Sequence, residues 1–184
     1  MASFSTVSVV RHRFPLPQLL FVLTVAAYFW AVRQSAPHLS ERVATHFAWH
    51  GEANGWMGRE EYERFLLGFG LGVAGFLVGL LHLARFLPAC SLQVPGSDFW
   101  RLPQHYPVAC RILARWSWLL AAMHLLFLGL LNVSVVAANQ LSPPRLAGDA
   151  LLWPGGIFLI GTGVLVWGLL RSLHRARMAW DVAS

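Results

Sequence analysis

His46 and His50 lie four residues apart, with Glu52 just beyond them and His38 upstream. Histidine is a common metal ligand, and a four-residue spacing puts two of them on one face of a helix. Gly51 and the Asn54-Gly55 pair are turn signals, however, and oppose a helix at this point. No metal site is therefore expected. A ring with a polar edge suits a wet interface. His46 and Trp56 then either pin this segment onto the ends of neighbouring helices or meet a ligand. The candidate residues of the segment are His46, Phe47, Gly51, Gly55 and Trp56.

Two further histidines, His82 and His124, raise the question of a bis-histidine haem. At 1.5 Å rise per residue their heights differ by roughly 10 Å, whereas two axial ligands must share one height. The sequence contains no Gly-x-Ser-x-Gly elbow and no His-Glu-x-x-His, so nucleophilic and zinc-hydrolase chemistry have no support. The apolar segments hold no acidic residue, which disfavours a carboxylate proton relay or ion carrier. The expectation is a protein that is not an enzyme and carries no cofactor.

The elements that must position these residues are apolar runs. Of the 184 residues, 57% are hydrophobic and 12% charged, against about 25% charged in a soluble domain. A spanning helix needs roughly 20 predominantly apolar residues. Four segments qualify, at about residues 15–33, 65–87, 112–138 and 150–172. Between them lie a 34–63 loop and an 88–111 loop. The first run, preceded by Arg11 and Arg13, has some features of a signal peptide. It is long, Arg33 closes it, and bulky Tyr28, Phe29 and Trp30 stand where small cleavage-site residues belong. It reads as a span.

All 14 basic residues are Arg, giving a net charge of +6. They are interleaved with apolar runs rather than clustered, which argues against nucleic acid as a partner and for membrane topology. With the N-terminus inside, Arg11, Arg13, Arg85, Arg101, Arg111, Arg115, Arg171, Arg175 and Arg177 are cytoplasmic. Arg33, Arg42, Arg59, Arg64 and Arg145 are outside. The excess inside puts both termini in the cytoplasm and the 34–63 loop on the far side. Arg42 to Phe47 looks extended, and Glu60, Glu61 and Glu63 open the second helix, complementing its dipole.

Within the spans, Gly68, Gly72, Gly75 and Gly79 share one face of the second helix, a pattern that lets another helix approach closely. His124, Asn132 and Asn139 form a polar line on the third, expected to face the interior of the helix assembly. In the 88–111 loop, Phe99, Trp100 and Tyr106 are expected at the membrane surface, with Phe99, Trp100 and Arg101 as candidates for anchoring or for docking a cytoplasmic regulator.

The stretch Leu39-Ser-Glu-Arg-Val-Ala-Thr-His46-Phe47, with Gly51 and Asn54-Gly55-Trp56 following, resembles the signature of a bacterial membrane domain of unknown function. That domain also forms the N-terminal part of SdpI-type proteins, which protect a cell from its own secreted peptide toxin. Phe99-Trp100-Arg101-Leu102 and Ala138-Asn139 resemble two further stretches of those proteins. Ser40, Ala44, Ala48 and Asn54 depart from the family pattern, which usually has Pro, Pro, Asn or Asp, and Asp there.

The expected fold is an all-α integral membrane protein, four transmembrane helices in a bundle with a small ordered extracytoplasmic loop between the first two. The expected setting is the bacterial cytoplasmic membrane. Expected partners are the lipid bilayer, a peptide or toxin ligand as the resemblance implies, and other membrane protein subunits. The function expected is sensing or immunity through the 34–63 loop; the alternative is an accessory structural subunit of a larger membrane complex.

Overall fold

The computed structural model describes residues 15–182, so Arg11 and Arg13 lie outside the described residues. The chain is mostly helical. Helix α1 spans Leu16–Ser35, and a single 3₁₀ turn, Ala36–His38, leads into strands β1 (Arg42–Phe47) and β2 (Ala53–Gly58). Helix α2 follows at once, Arg59–Leu83. The short helix α3, Ser97–Trp100, sits in the connection to α4, Tyr106–Asn139, and α5 covers Leu152–Asp181. Four of these helices are long and apolar enough to cross a membrane.

Local chemistry sets the helix ends. Pro17 and Pro107 lie in the first turns of α1 and α4, where a missing N–H has no intrahelical partner to lose. Glu60 and Glu61 occupy the first turn of α2, facing its positive end. Leu87 is extended, as expected of a residue before proline, and Pro88 starts the following connection. Pro154-Gly155-Gly156 does not break α5, because all three fall in or next to its first turn, and the Gly155 N–H still reaches the Leu151 carbonyl at 2.9 Å.

The long helices alternate in direction, so the β-hairpin and the α4–α5 connection share one end of the molecule. The α2–α4 connection and the end of α5 share the other. Helix α4 is central. It packs against α1 and α2 on one side and α5 on another, while α1 and α2 touch each other less. The four expected helices are thus joined through α4. Helix α5 leans mainly on α4 and leaves Leu159, Ile160, Val164 and Trp167 exposed, a face that lipid solvates.

A two-stranded sheet is an addition to the all-helical expectation. The antiparallel pairing runs Arg42 with Gly58 to Phe47 with Ala53, with register shifts on either side of His46. The Asn54-Gly55 pair lies inside β2 and makes no turn. The turn falls instead at residues 48–52, where Gly51 takes a positive φ of 84° and its N–H bonds the Ala48 carbonyl at 2.8 Å.

Two buried clusters hold the chain together. At the hairpin end, Tyr28, Val32, Leu39, Val43, Tyr62, Leu66 and Leu125 pack together. At the opposite end, Leu92, Trp100, Ala109, Leu113 and Leu173 form a second cluster. At 1.5 Å per residue the 34 residues of α4 reach about 51 Å, well beyond the roughly 30 Å of a hydrocarbon core. Its first turns and the last turns of α5 project together and enclose the second cluster.

No helix of this chain packs on the expected glycine face among the described residues. Around the positions a Cβ would take on Gly68, Gly72, Gly75 and Gly79, nothing among the described residues lies within 4 Å. That face is open. The close approach occurs at buried Gly70, where a Cβ would sit 2.5 Å from the Tyr28 hydroxyl, which donates to the Leu66 carbonyl at 2.6 Å. Gly70→Val must displace Tyr28 and should lower stability by about 1–3 kcal/mol, the usual cost of overpacking. Gly72→Val on the open face should stay within about 0.5 kcal/mol. Denaturant unfolding of the full chain in detergent distinguishes them; equal effects would refute this assignment.

Candidate functional site: a hairpin mounted on a helix end

Where the irregular backbone of the hairpin meets the helix ends, its polar groups need partners, because a buried unpaired amide is costly. Ala44 of β1 is fully buried. Its N–H donates to the Asn139 side-chain oxygen at 2.8 Å, and its carbonyl accepts from the Asn139 amide at 2.9 Å. A carboxamide carries one acceptor and an NH₂ donor, so Asn139 pairs with Ala44 as a neighbouring strand would. The second Asn139 amide proton has the Val135 carbonyl at 2.9 Å, fixing the side chain to its own helix.

Asn132 lies two turns deeper on α4 and is 2% exposed. Its side-chain oxygen accepts from the Tyr62 hydroxyl at 2.9 Å, and its amide donates to the Ser35 hydroxyl at 2.9 Å. Ser35 in turn donates to the Val32 carbonyl at 2.8 Å. One side chain thereby ties α4 to the end of α1 and the start of α2, the two helices that flank the hairpin. The polar line expected on α4 is real for these two residues. His124 differs: its Nε2 is buried without a hydrogen-bond partner among the described residues. Its ring meets Phe69 edge-on at 6.1 Å.

The hairpin tip is fixed separately. Gly51 accepts from the Leu146 N–H at 2.8 Å, and a β-bridge joins Glu52 to Arg145. Arg145 donates from Nη2 to the His50 carbonyl at 3.3 Å. Gly51 serves twice here: its φ favours glycine, and a Cβ would collide with the Leu146 carbonyl oxygen. Arg145 and Leu146 carry no sequence motif that marks them as partners of residue 51, because the pairing spans 95 positions.

His46 and Trp56 do not pin the hairpin onto the helices, which corrects that reading. The buried face belongs to Leu39 and Val43, with Met57 packed against them, and Ala44 is also buried. His46 and Trp56 are on the exposed side. The His46 ring nitrogen Nδ1 pairs with the Asn54 side-chain oxygen at 2.6 Å. The Arg42 guanidinium lies over the Trp56 ring at 5.4 Å. Gly55 is required because a Cβ there would lie 2.7 Å from the His46 Cβ. Phe47 is half-buried opposite Ala53. Trp49 at the tip is 97% exposed, and Trp56 is 40% exposed.

Among the described residues, histidine and acid positions do not converge: no three His, Cys, Asp or Glu side chains gather as a metal site would need. His46 faces Asn54, and His82 pairs with its own helix at the Val78 carbonyl, 2.8 Å away.

Residues 19–69 match the sequence model of a family described as a domain of unknown function, DUF1648. In structural terms the DUF1648 segment is most of α1, the hairpin and the first turns of α2, without the α4 asparagines that hold it. None of the curated proteins and none of the solved structures matches the chain.

At the opposite end, the expectation of surface anchoring is corrected for Trp100. It is 1% exposed and central to the second cluster, because the projecting ends of α4 and α5 wall it in. Phe99 stacks on His105 at 3.9 Å between centroids, and the Arg177 guanidinium lies over Phe99 at 5.3 Å. Arg101 donates to the Leu92 carbonyl from Nε and Nη2, at 3.2 and 3.1 Å. Tyr106 donates to the carbonyls of Ala84 and Leu87, closing the end of α2.

Two substitutions test the mount. Gly51→Ala should destabilise the tip by about 1–3 kcal/mol from backbone strain alone, seen as faster proteolysis within residues 48–52. Asn132→Leu strands the Tyr62 hydroxyl, whereas the Ser35 hydroxyl still donates to Val32, and should cost about 1–3 kcal/mol for the one unsatisfied donor. Unchanged unfolding of Asn132→Leu would contradict the three-way tie.

Proposed function

We propose that this chain is a non-enzymatic multipass membrane protein whose hairpin receives a peptide or envelope signal, in the manner of SdpI-type immunity or sensor proteins. The observation that carries the reading is the exposed hairpin face: Trp49 and Trp56 with the Arg42 cation and the His46–Asn54 pair, on a strongly anchored backbone. Exposed aromatics beside a cation on a rigid mount are the composition of a contact surface. The sheet has two strands only, and Ala44 on the β1 side is already paired with Asn139. The free edge of β2 therefore suits an extended peptide, which can add main-chain hydrogen bonds there.

The location follows from charge. The Arg excess at the end opposite the hairpin favours cytoplasmic termini and an extracytoplasmic hairpin in a bacterial inner membrane. The Phe99–His105–Trp180 stack then couples the cytoplasmic connection to the last turn of α5, the segment that would report occupancy.

A second reading is an accessory subunit of a larger membrane complex, favoured by the open glycine face of α2, which admits a foreign helix closely. Trp56→Ala and His46→Ala separate the two. Both should insert and unfold normally, yet abolish toxin tolerance or signalling in cells. If both variants retain full response while Gly72→Leu releases a co-purifying subunit, the accessory reading replaces the first.

A further inference from the structure

At the hairpin end a cleft of about 440 Å³ lies between helices α4 and α5, beneath the connection between them. This falls within the 300–1,000 Å³ of ordinary ligand pockets. Its lining is mostly apolar, and the Ser134 hydroxyl within it is taken up by the Ala150 carbonyl at 2.9 Å. Leu130, Val133, Ala137 and Ile157 line the deeper part, and Trp153 and Arg145 stand at the rim. From Leu130 to Ala138 the wall of α4 descends about 12 Å at 1.5 Å per residue, the scale of a headgroup boundary and the upper acyl region.

The rim cation is not neutralised. Arg145 is exposed, and no carboxylate of the described residues lies within 4.0 Å of it. Its side chain has a neutral carbonyl, that of His50, as its hydrogen-bond partner. Guanidinium groups match phosphate geometry well. Trp153, 74% exposed at the start of α5, has the ring type that settles at headgroup level. Val133, Trp153 and Ile157 of its lining are exposed on the flank of the helices, the surface that hydrocarbon would cover.

We propose that this cleft is a specific site for an anionic phospholipid, with the phosphate held at Arg145 and one acyl chain laid along Leu130, Val133 and Ile157. The proposal does not rest on the signal-receiving reading of the hairpin. It does place an occupant against the residue that holds the hairpin tip, since the same guanidinium reaches His50.

The test uses the full chain in phosphatidylcholine nanodiscs doped with phosphatidylglycerol bearing a diazirine on one acyl chain. Photolabelling followed by peptide mapping should concentrate label on residues 130–137 and 153–157 over the lipid-facing segment around Phe76. Arg145→Gln should reduce that label by about fivefold, the weight of one Arg at an anionic surface, with label near Phe76 unchanged. Arg145→Lys should retain most of it. Ala137→Phe fills the cleft from an exposed position and should also abolish the label, so the test stands even if Arg145→Gln folds poorly. Equal labelling by a phosphatidylcholine analogue would reduce the site to generic lipid contact and overturn the proposal. So would competition by glycerol 1-phosphate alone, or insensitivity to both Arg145→Gln and Ala137→Phe.

Discussion

The hairpin depends on one side chain that behaves as a piece of backbone. A short two-stranded ribbon is marginal by itself in water, and at a membrane boundary its unpaired amide groups are costly. Asn139, on the last turn of α4, supplies both hydrogen bonds that a third strand would give Ala44. The ribbon thus becomes an extension of the central helix. Everything exposed on its far side, from Arg42 to Trp56, inherits the rigidity of α4.

The same economy recurs lower in the assembly. Lipid provides no hydrophobic force between helices, so packing and interhelical hydrogen bonds carry association. Asn132 joins three helices through two hydroxyls, and Tyr28 joins α1 to α2 by laying its ring over Gly70. These contacts lie at the hairpin half of α1, α2 and α4. Helix α5 shares none of these polar ties and is held by the close approaches of Gly161 to Met123 and of Gly168 to Trp116. At its far end the aromatic cluster around Trp100 clamps it again. Just before α5, the Ala150 carbonyl accepts from the Ser134 hydroxyl of α4 at 2.9 Å, and the cleft lies at this hairpin end.

Much of this is written plainly in the sequence. Long apolar runs bounded by Arg locate the four long helices, because the bilayer thickness fixes their minimum length. Their true ends escape that rule: α4 and α5 continue past the hydrocarbon on the strength of tertiary contacts with Leu92, Trp100 and His105. Asn132 and Asn139 are visible as polar residues on an apolar face, although their partners are 70 to 97 positions away. The glycine stripe on α2 is visible as a face, but periodicity does not say what meets it, and the glycine closely packed within this chain stands off that face under Tyr28. The strand pairing is also hard to read, since Asn54-Gly55 imitates a turn while glycine at 55 is demanded by the His46 side chain opposite.

Amide hydrogen exchange at Ala44, in the full chain reconstituted in lipid, tests the mount most directly. A hydrogen-bonded, fully buried amide should exchange as slowly as the interior amides of α4. In Asn139→Ala it should speed by about tenfold or more, the equivalent of roughly 1.4 kcal/mol, while the amides of α4 keep their protection. Rapid exchange at Ala44 in the unaltered protein, or protection that survives the loss of the Asn139 carboxamide, would contradict the account.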